Sequence, residues 1–241
     1  MKPRVTIIGY GTMGRAIGKA LEGKAAVTPA DQGDSIASAK AADFAILSVK
    51  PQNSTEALAE IKKLKLGKKT ILVSIMAGVS IKKISSLSGH DKIARVMPNL
   101  GLSVGSGIAG WITYGLSAEE KKKVKKFLDM IMENFEVQKE DDINKITAVS
   151  GSGPAYFFRF AETLSKAAEG LGFSPEEARR LVQKTFHASS LLAENAEYAE
   201  LIKRVASKGG TTEAALKVLK FDKMTEKAVR AAYKQAKELN E

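Results

Sequence analysis

Hydrophobic residues in the first 140 positions come mostly in short continuous runs bounded by glycine, proline or charged residues. Runs of about four to eight apolar residues are typical of strands buried in a parallel sheet. Segments with apolar residues at helical spacing separate these runs, and that alternation predicts β-α-β units. The predicted strands are residues 4–8, 25–28, 43–49, 70–75, 92–96, 104–114 and 135–138, and the predicted helices are residues 15–21, 53–64, 80–87 and 117–132.

Beyond about residue 141 the strand pattern stops and helical periodicity continues to the end of the chain. Ser174 and Pro175 supply an N-cap residue and a proline suited to a first helical position. The predicted helices are residues 154–170, 175–196, 198–206, 212–220 and 222–238. The sequence therefore predicts a Rossmann-type α/β domain with a parallel sheet over residues 1–140, followed by an all-α domain over residues 141–241. Pro29 is expected to end the second strand.

The composition limits the class of protein. The chain has 241 residues, 44% of them hydrophobic, and no cysteine, which excludes disulfides, thiolate metal ligands and cysteine nucleophiles. The first residues, MKPRVTIIGYG, contain too short an apolar run for a signal peptide. No segment reaches the roughly 18 apolar residues of a membrane span. We therefore expect a soluble, cytoplasmic protein that does not bind membranes.

The net charge of +11 raises nucleic acid as a partner. The lysines, however, are spread over predicted helices such as EEKKKVKKFLDMIMENF, where apolar residues recur from Val124 to Ile131 at helical spacing. This pattern is typical of a solvated amphipathic helix, and no aromatic-basic recognition pattern accompanies it. We expect no nucleic-acid partner, although the positive field would attract a polyanionic cofactor and a carboxylate substrate.

Gly9, Gly11 and Gly14 form a G-x-G-x-x-G pattern directly between a predicted strand and a predicted helix. In that context the first glycine permits a tight turn, the second lets the backbone approach a pyrophosphate, and the third lets helix and strand pack closely. An acidic residue about 20 positions on usually binds the ribose 2′-hydroxyl. Asp31 and Asp34 lie near that spacing, and no arginine there marks a 2′-phosphate pocket. The residues alone predict a nicotinamide dinucleotide and leave NADPH and NADH open.

A second glycine-rich loop lies near the C-terminus, in VASKGGTTEAALKVLK at residues 205–220. Gly209 and Gly210 are expected to leave bare N–H groups at the start of a helix, where the helix dipole favours an anion. The alternative is a simple turn with a threonine cap. The loop by itself does not choose between them.

Six motifs, in the same order across both halves of the chain, resemble the pyrroline-5-carboxylate reductase family. They are IGYGTMGRAI at 8–17, SVKPQ at 48–52, SIMAGVSI at 74–81, MPN at 97–99, VSGSGPAYFF at 149–158 and SKGGTTEAAL at 207–216. The resemblance implies a helical dimerisation domain after the Rossmann domain, in a homodimer or higher homo-oligomer with the active site at the dimer interface. It also implies reduction of the C=N bond of 1-pyrroline-5-carboxylate to L-proline, with NADPH as the commoner donor and NADH possible.

The resemblance also implies roles for particular residues. Thr212 is expected to be the catalytic residue, with its hydroxyl hydrogen-bonded to the imine nitrogen. The substrate-binding residues implied are Ser207, Gly209, Gly210, Thr211 and Thr212. The cofactor-binding residues implied are Gly9, Gly11, Thr12, Met13, Gly14, Ser48, Val49, Lys50, Pro51 and Asn99. His90 and His187 lack metal or triad spacing, and no metal site is expected.

Three departures from the family pattern leave catalytic efficiency and cofactor preference open. Leu100-Gly101 stand where members usually have Thr-Pro, and Lys208 stands where they usually have proline. The stretch between residues 28 and 43 is shorter than usual and is expected to lack the second Rossmann helix. Acceptance of six-membered cyclic imines is also open.

Two other functions remain as alternatives. A β-hydroxyacid-type dehydrogenase shares the plan of a Rossmann domain and helices, but its G-x-x-G-x-G-x-x-x-K lead-in is missing here. A cofactor-binding protein without catalysis is the other, suggested by the three departures.

Overall fold

The structure is a computed structural model that describes residues 2–31 and 36–239. Within them, seven strands form one sheet in the order β2-β1-β3-β4-β5-β6-β7. Strands β1 to β5 are parallel, β6 is antiparallel to β5, and β7 is parallel to β6. The strands are β1 (Arg4–Ile8), β2 (Ala26–Ala30), β3 (Phe44–Leu47), β4 (Ile71–Ser74), β5 (Ile93–Pro98), β6 (Ile108–Tyr114) and β7 (Glu133–Glu136).

Helices cover both faces of this sheet, as in a doubly wound fold. They are α1 (Thr12–Ala20), α2 (Ser54–Leu64), α3 (Ile81–Ser88), α4 (Ala118–Asp129) and α5 (Glu140–Ile146). Alternate residues of a strand point to opposite faces, so Phe44 and Ile46 of β3 join one apolar cluster and Ala45 and Leu47 join the other. Burial on both faces explains why these strands are continuous apolar runs.

The second strand differs from the prediction. Pro29 lies inside β2 and pairs in register with Ile7, so the expectation that it ends the strand is wrong. β2 is an edge strand, where proline is tolerated because one side of the strand needs no ladder hydrogen bonds. Between β2 and β3 the described residues form a short 3₁₀ helix, Ile36–Ala41, in place of a full Rossmann helix. Asp34 lies outside the described residues.

Five helices make up most of the remaining chain. Ser174 caps one of them, because its Oγ accepts the N–H of Glu177 and the Glu177 carboxylate accepts the N–H of Ser174. Pro175 occupies the first helical position, as expected. The helices are α6 (Gly153–Gly170), α7 (Pro175–Ala193), α8 (Tyr198–Val205), α9 (Thr211–Val218) and α10 (Phe221–Glu238).

The chain forms two compact units. The first runs to Pro154 and also includes the chain from Val229 onward, and the second is Ala155–Ala228. The Rossmann-type sheet followed by a helical region confirms the predicted fold class. The domain limits of 1–140 and 141–241 stay a prediction.

A buried arginine holds α5 against the sheet. Arg95 of β5 is 1% exposed and donates hydrogen bonds to Glu140 Oε1 at 2.7 Å and Asn144 Oδ1 at 3.0 Å. Burial lowers the pKa of Arg95, while the hydrogen bond and charge of Glu140 act in the opposite direction. The same Glu140 oxygen accepts the N–H of Ile81 at 2.7 Å. One carboxylate therefore joins α5, β5 and the start of α3.

The last helix returns to the first unit. The Tyr233 hydroxyl donates to Asp141 Oδ2 at 2.6 Å, and this hydrogen bond is the main reason that the pKa of Asp141 lies below its usual range. Gly78 has a φ of +66°, and a Cβ there would collide with the side chain of Leu239. The end of α10 is thus a packed part of the first unit.

Candidate active site

The turn after β1 is shaped by two glycines that the chain itself requires. Gly9 has a φ of +87°, and a Cβ there would lie 2.8 Å from both Cγ1 and N of Val49. Its N–H donates to the carbonyl of Ala30 at 2.8 Å, which fixes the turn against the end of β2. A Cβ on Gly14 would collide with the carbonyl oxygen of Gly9. These two positions need glycine for the turn and for close packing of α1 on β1.

Gly11 is different, because a Cβ there would meet no described atom within 4 Å. Gly11 is the N-cap of α1, and in the described structure no side chain caps that end of the helix. The first N–H groups of a helix lack partners inside the helix, and the helix dipole makes this end positive. Open space in front of uncapped N–H groups fits a phosphate that approaches the backbone.

A cavity of about 490 Å³ lies in front of this turn. Five of the predicted cofactor residues line it: Gly9, Gly11, Ser48, Val49 and Lys50. Ser48 Oγ is buried and has no hydrogen-bond partner within the described residues. A buried hydroxyl without a partner is costly unless a ligand satisfies it. The cavity and this hydroxyl fit a bound dinucleotide. The remaining lining residues are Ile8, Ala30, Asp31, Ile36, Asn53, Glu56, Ala57 and Glu60.

The other predicted cofactor residues lie outside this lining. Thr12 begins α1, Met13 packs partly on the core, and Gly14 is buried behind the turn. Pro51 begins the short 3₁₀ helix Pro51–Asn53. Asn99 directly follows β5. Their predicted contacts with the cofactor stay predictions.

Asn99 connects two motifs that are far apart in the sequence. Its Nδ2 donates to Ser150 Oγ at 3.2 Å, and its Oδ1 accepts the N–H of Ile108 at 3.3 Å. Ser150 belongs to a π-helical turn, Thr147–Gly151, and such turns are frequent at functional sites. A Cβ on Gly151 would lie 3.5 Å from Met97 Sδ. The MPN and VSGSG motifs are therefore neighbours in the structure. This contact could not be predicted from the sequence, because about 50 residues separate the two motifs.

The loop at residues 207–210 is a tight turn. The carbonyl of Ser207 accepts the N–H of Gly210 at 3.0 Å, and Gly209 has a φ of +74°. This combination fits a type II turn with glycine at its third position. The N–H of Gly209 donates to Glu213 Oε2 at 2.7 Å. The expectation that Gly209 and Gly210 leave bare N–H groups is therefore wrong, because the turn and the Glu213 side chain use both donors.

The start of α9 supplies the donors instead. Gly210 is its N-cap, and no side chain caps that end in the described structure. Thr211 and Thr212 lie in the first turn, where N–H groups have no partner inside the helix. The interpretation of these threonines as caps thus loses its basis. Two adjacent N–H groups and two hydroxyls remain for a small anion.

The second unit exposes large apolar side chains along its helices. Phe157 and Phe158 are 59% and 57% exposed, and Leu191 and Leu192 are 51% and 55% exposed. Apolar surface of this kind is typical of a region that another protein surface covers. Trp111, by contrast, is buried in the core of the first unit. Among the helices of residues 2–31 and 36–239, none has the length and hydrophobicity needed to cross a membrane.

The parallel sheet, the glycine turn and the cavity define a Rossmann-type dinucleotide-binding protein. Residues 140–239 match the family described as pyrroline-5-carboxylate reductase dimerisation. The chain is 36% identical over 239 residues to the pyrroline-5-carboxylate reductase of Aquifex aeolicus, covering 90% of this chain and 88% of that protein. It belongs to the pyrroline-5-carboxylate reductase family.

Solved structures agree. The Plasmodium falciparum pyrroline carboxylate reductase, solved with NADP bound, superposes with a TM-score of 0.87 at 26% identity, covering 99% of this chain and 98% of that one. The Coxiella burnetii pyrroline-5-carboxylate reductase gives a TM-score of 0.85 at 30% identity over the whole of both chains. The predicted family is thus confirmed.

Proposed function

We propose that this chain reduces the C=N bond of 1-pyrroline-5-carboxylate to L-proline, the last step of proline synthesis, with NADPH or NADH as donor. The observation that carries the proposal is the pair of uncapped helix starts, α1 behind Gly11 and α9 behind Gly210, in a member of this family. One suits a pyrophosphate and the other a small carboxylate. The Plasmodium falciparum relative was solved with NADP bound, which supports this class of cofactor.

On the cofactor side, the turn of residues 9–14 would hold the pyrophosphate through backbone N–H groups. Ser48, at the end of β3, has a hydroxyl that lacks a partner among the described residues and would bind the dinucleotide. The proposal includes four further cofactor contacts: Thr12, Met13, Pro51 and Asn99. When bound, the reduced nicotinamide supplies the hydride that adds to the imine carbon.

On the substrate side, the N–H groups of Thr211 and Thr212 would bind the carboxylate at the positive end of α9. Ser207, Gly209 and Gly210 would shape the loop around it. Gly209 would donate directly only after releasing Glu213, whose carboxylate accepts its N–H. The anion would therefore be bound first by the threonine N–H groups.

The Thr212 hydroxyl would hydrogen-bond the imine nitrogen and fix the ring for hydride addition. When the imine nitrogen is protonated, the imine carbon is already electrophilic. The site therefore needs no strong acid or base. Positioning two bound partners with their reacting atoms about 3–3.5 Å apart can supply much of the rate.

Assembly and location complete the proposal. The match of residues 140–239 to a dimerisation family supports a homodimer or higher homo-oligomer. We propose that substrate and cofactor meet at the dimer interface, as the resemblance to the family implies. We also propose a cytoplasmic location, which fits a chain without cysteine. Cell fractionation would test it.

The test of function is oxidation of NADPH and of NADH at 340 nm with 1-pyrroline-5-carboxylate. We expect Thr212→Ala to lower kcat/KM by about 100-fold, because one hydrogen bond in the transition state is lost. The matched control is Thr212→Ser, which keeps the hydroxyl and should retain most of the activity. Dinucleotide affinity should be unchanged in both variants.

Other outcomes would support the alternatives. Activity with hydroxy acids and none with the imine would favour a β-hydroxyacid-type dehydrogenase. Tight dinucleotide binding without turnover of any cyclic imine would favour a non-catalytic binding protein. Either result would refute the proposal.

A further inference from the structure

Asp31 occupies a defined place beside the glycine turn. It directly follows β2, whose last residue, Ala30, pairs in register with Ile8 of β1. Its Oδ1 lies 3.4 Å from the N–H of Tyr10, which it accepts as a long hydrogen bond. Its side chain also lines the cavity in front of Gly9 and Gly11. In a Rossmann fold, an acidic residue at the end of the second strand is placed to reach the adenosine ribose.

The charges around this position are mostly negative. Among the described residues, the cavity lining contains the carboxylates of Asp31, Glu56 and Glu60 and one ammonium group, that of Lys50. The sequence has no lysine or arginine between Lys24 and Lys40, so the segment after β2 adds no cation.

Two basic residues, Lys50 and Arg15, belong to the elements around this turn. Lys50 follows β3, and β1 lies between β3 and β2 in the sheet. Two strand spacings of about 4.8 Å therefore separate the ends of β3 and β2. Arg15 donates through Nε to the carbonyl of Tyr10 at 2.9 Å, which ties it to the turn. Lys50 thus leaves the sheet two strands away from Asp31, and the Nε of Arg15 is already used by the carbonyl of Tyr10.

We propose that Asp31 makes this chain select NADH over NADPH. Its carboxylate accepts a hydrogen bond from the ribose 2′-hydroxyl of NADH, whereas a 2′-phosphate would face a like charge in a cavity with a net negative lining. This inference rests on the proposed dinucleotide site. It does not depend on which substrate is reduced.

The experiment measures equilibrium binding of NADH and of NADPH to the purified full chain, without imine, by nucleotide fluorescence and by calorimetry. We expect the wild-type protein to bind NADH about tenfold or more tightly than NADPH. Asp31→Asn keeps the shape and a hydrogen-bonding amide but removes the charge. It should tighten NADPH binding about tenfold and change NADH binding little.

The matched control is Glu22→Gln, which removes one negative charge just after α1 without touching the cavity lining. It should leave the ratio of the two affinities unchanged. Raising the salt concentration should narrow the wild-type ratio, because screening weakens the repulsion of the 2′-phosphate.

Equal or tighter binding of NADPH by the wild-type protein would overturn the inference, even if Asp31→Asn failed to fold. An unchanged ratio in a folded Asp31→Asn protein would also overturn it. Failure of the proposed function is a separate result. A protein that discriminates between the nucleotides but leaves the imine unreduced would refute only the function.

Discussion

The glycine turn of residues 9–14 and the loop of residues 207–212 both place glycines before the start of a helix, yet they use them differently. In the first unit, Gly9 and Gly14 are in contact with other parts of the chain that leave no room for a Cβ. In the second unit, a Cβ on Gly209 would meet no described atom within 4 Å, although its φ of +74° still favours glycine. Gly14 is therefore fixed by packing and Gly209 by backbone conformation, while Gly9 is fixed by both.

This contrast shows how the two kinds of glycine can be recognised. A glycine that the fold requires is surrounded by its own chain, as Gly14 is by Gly9. Gly11 has space around it in the protein alone, as is expected of a glycine whose backbone a ligand approaches. Within the G-x-G-x-x-G pattern, the structure leaves no room for a Cβ at Gly9 and Gly14 and leaves space at Gly11.

Gly14→Ala should have the largest effect. The added methyl group would collide with the carbonyl oxygen of Gly9, and we expect a loss of about 3 kcal/mol in the free energy of unfolding. Alanine otherwise stabilises a helix interior relative to glycine. A decrease in the free energy of unfolding would therefore point to the collision with Gly9. Urea denaturation measures it, with Gly170→Ala as the control because its Cβ would meet no described atom within 4 Å. A Gly14→Ala protein as stable as the wild type would break the distinction between the two turns.

Gly11→Ala should leave the fold intact and weaken binding. Replacing an N-cap glycine by alanine costs roughly 0.5–1 kcal/mol, so the unfolding transition should move only slightly. The methyl group would project into the space that a pyrophosphate would use, and we expect the Kd for the dinucleotide to rise about tenfold or more. Fluorescence titration measures this Kd. Unchanged affinity would mean that the space in front of Gly11 is not the phosphate site.

Lys208→Pro should have the smallest effect. Lys208 is the second residue of the turn that Ser207 and Gly210 close, and proline is common at that position of a type II turn. We expect a gain of about 0.4–1 kcal/mol in stability, since proline restricts the unfolded chain. Thermal unfolding and kcat/KM for the imine are measured together.

The control for that substitution is Lys208→Gln, which removes the charge without fixing the backbone. If the lysine helps to attract the substrate carboxylate, both variants should have a higher KM for the imine than the wild type. This difference in KM should be larger at low salt than at high salt, because salt screens the attraction. A lower melting temperature for Lys208→Pro would rule out the type II turn.

Most of the first unit could be predicted from its sequence because its strands are buried on both faces. Runs such as FAIL at Phe44–Leu47 have no polar alternation to confuse the pattern. Two features could not be predicted in this way. Pro29 continues β2 because the strand is at an edge, which depends on the strand order. Helix α5 is held by Glu140 and Asn144 through Arg95, and hydrogen bonds of this kind leave no apolar periodicity.

The site divides along the same line. The turn at Gly9–Gly14 was predictable, since strand, glycines and helix are consecutive. The hydrogen bond between Asn99 and Ser150 joins residues 51 apart and required the fold. Glu213 is only four residues from Gly209. The sequence does not, however, predict the φ of +74° at Gly209 or the hydrogen bond from its N–H to Glu213.

The return of α10 to the first unit affects how the protein can be dissected. A chain cut after Pro154 would keep all the described strands. It would lose the hydrogen bond from Tyr233 to Asp141 and the packing of Leu239 on Gly78. The nucleotide-binding half is therefore not a severable N-terminal fragment. To isolate the first unit, Ala155–Ala228 should be deleted and the flanking ends joined by a flexible linker. This keeps both segments of the first unit in one chain.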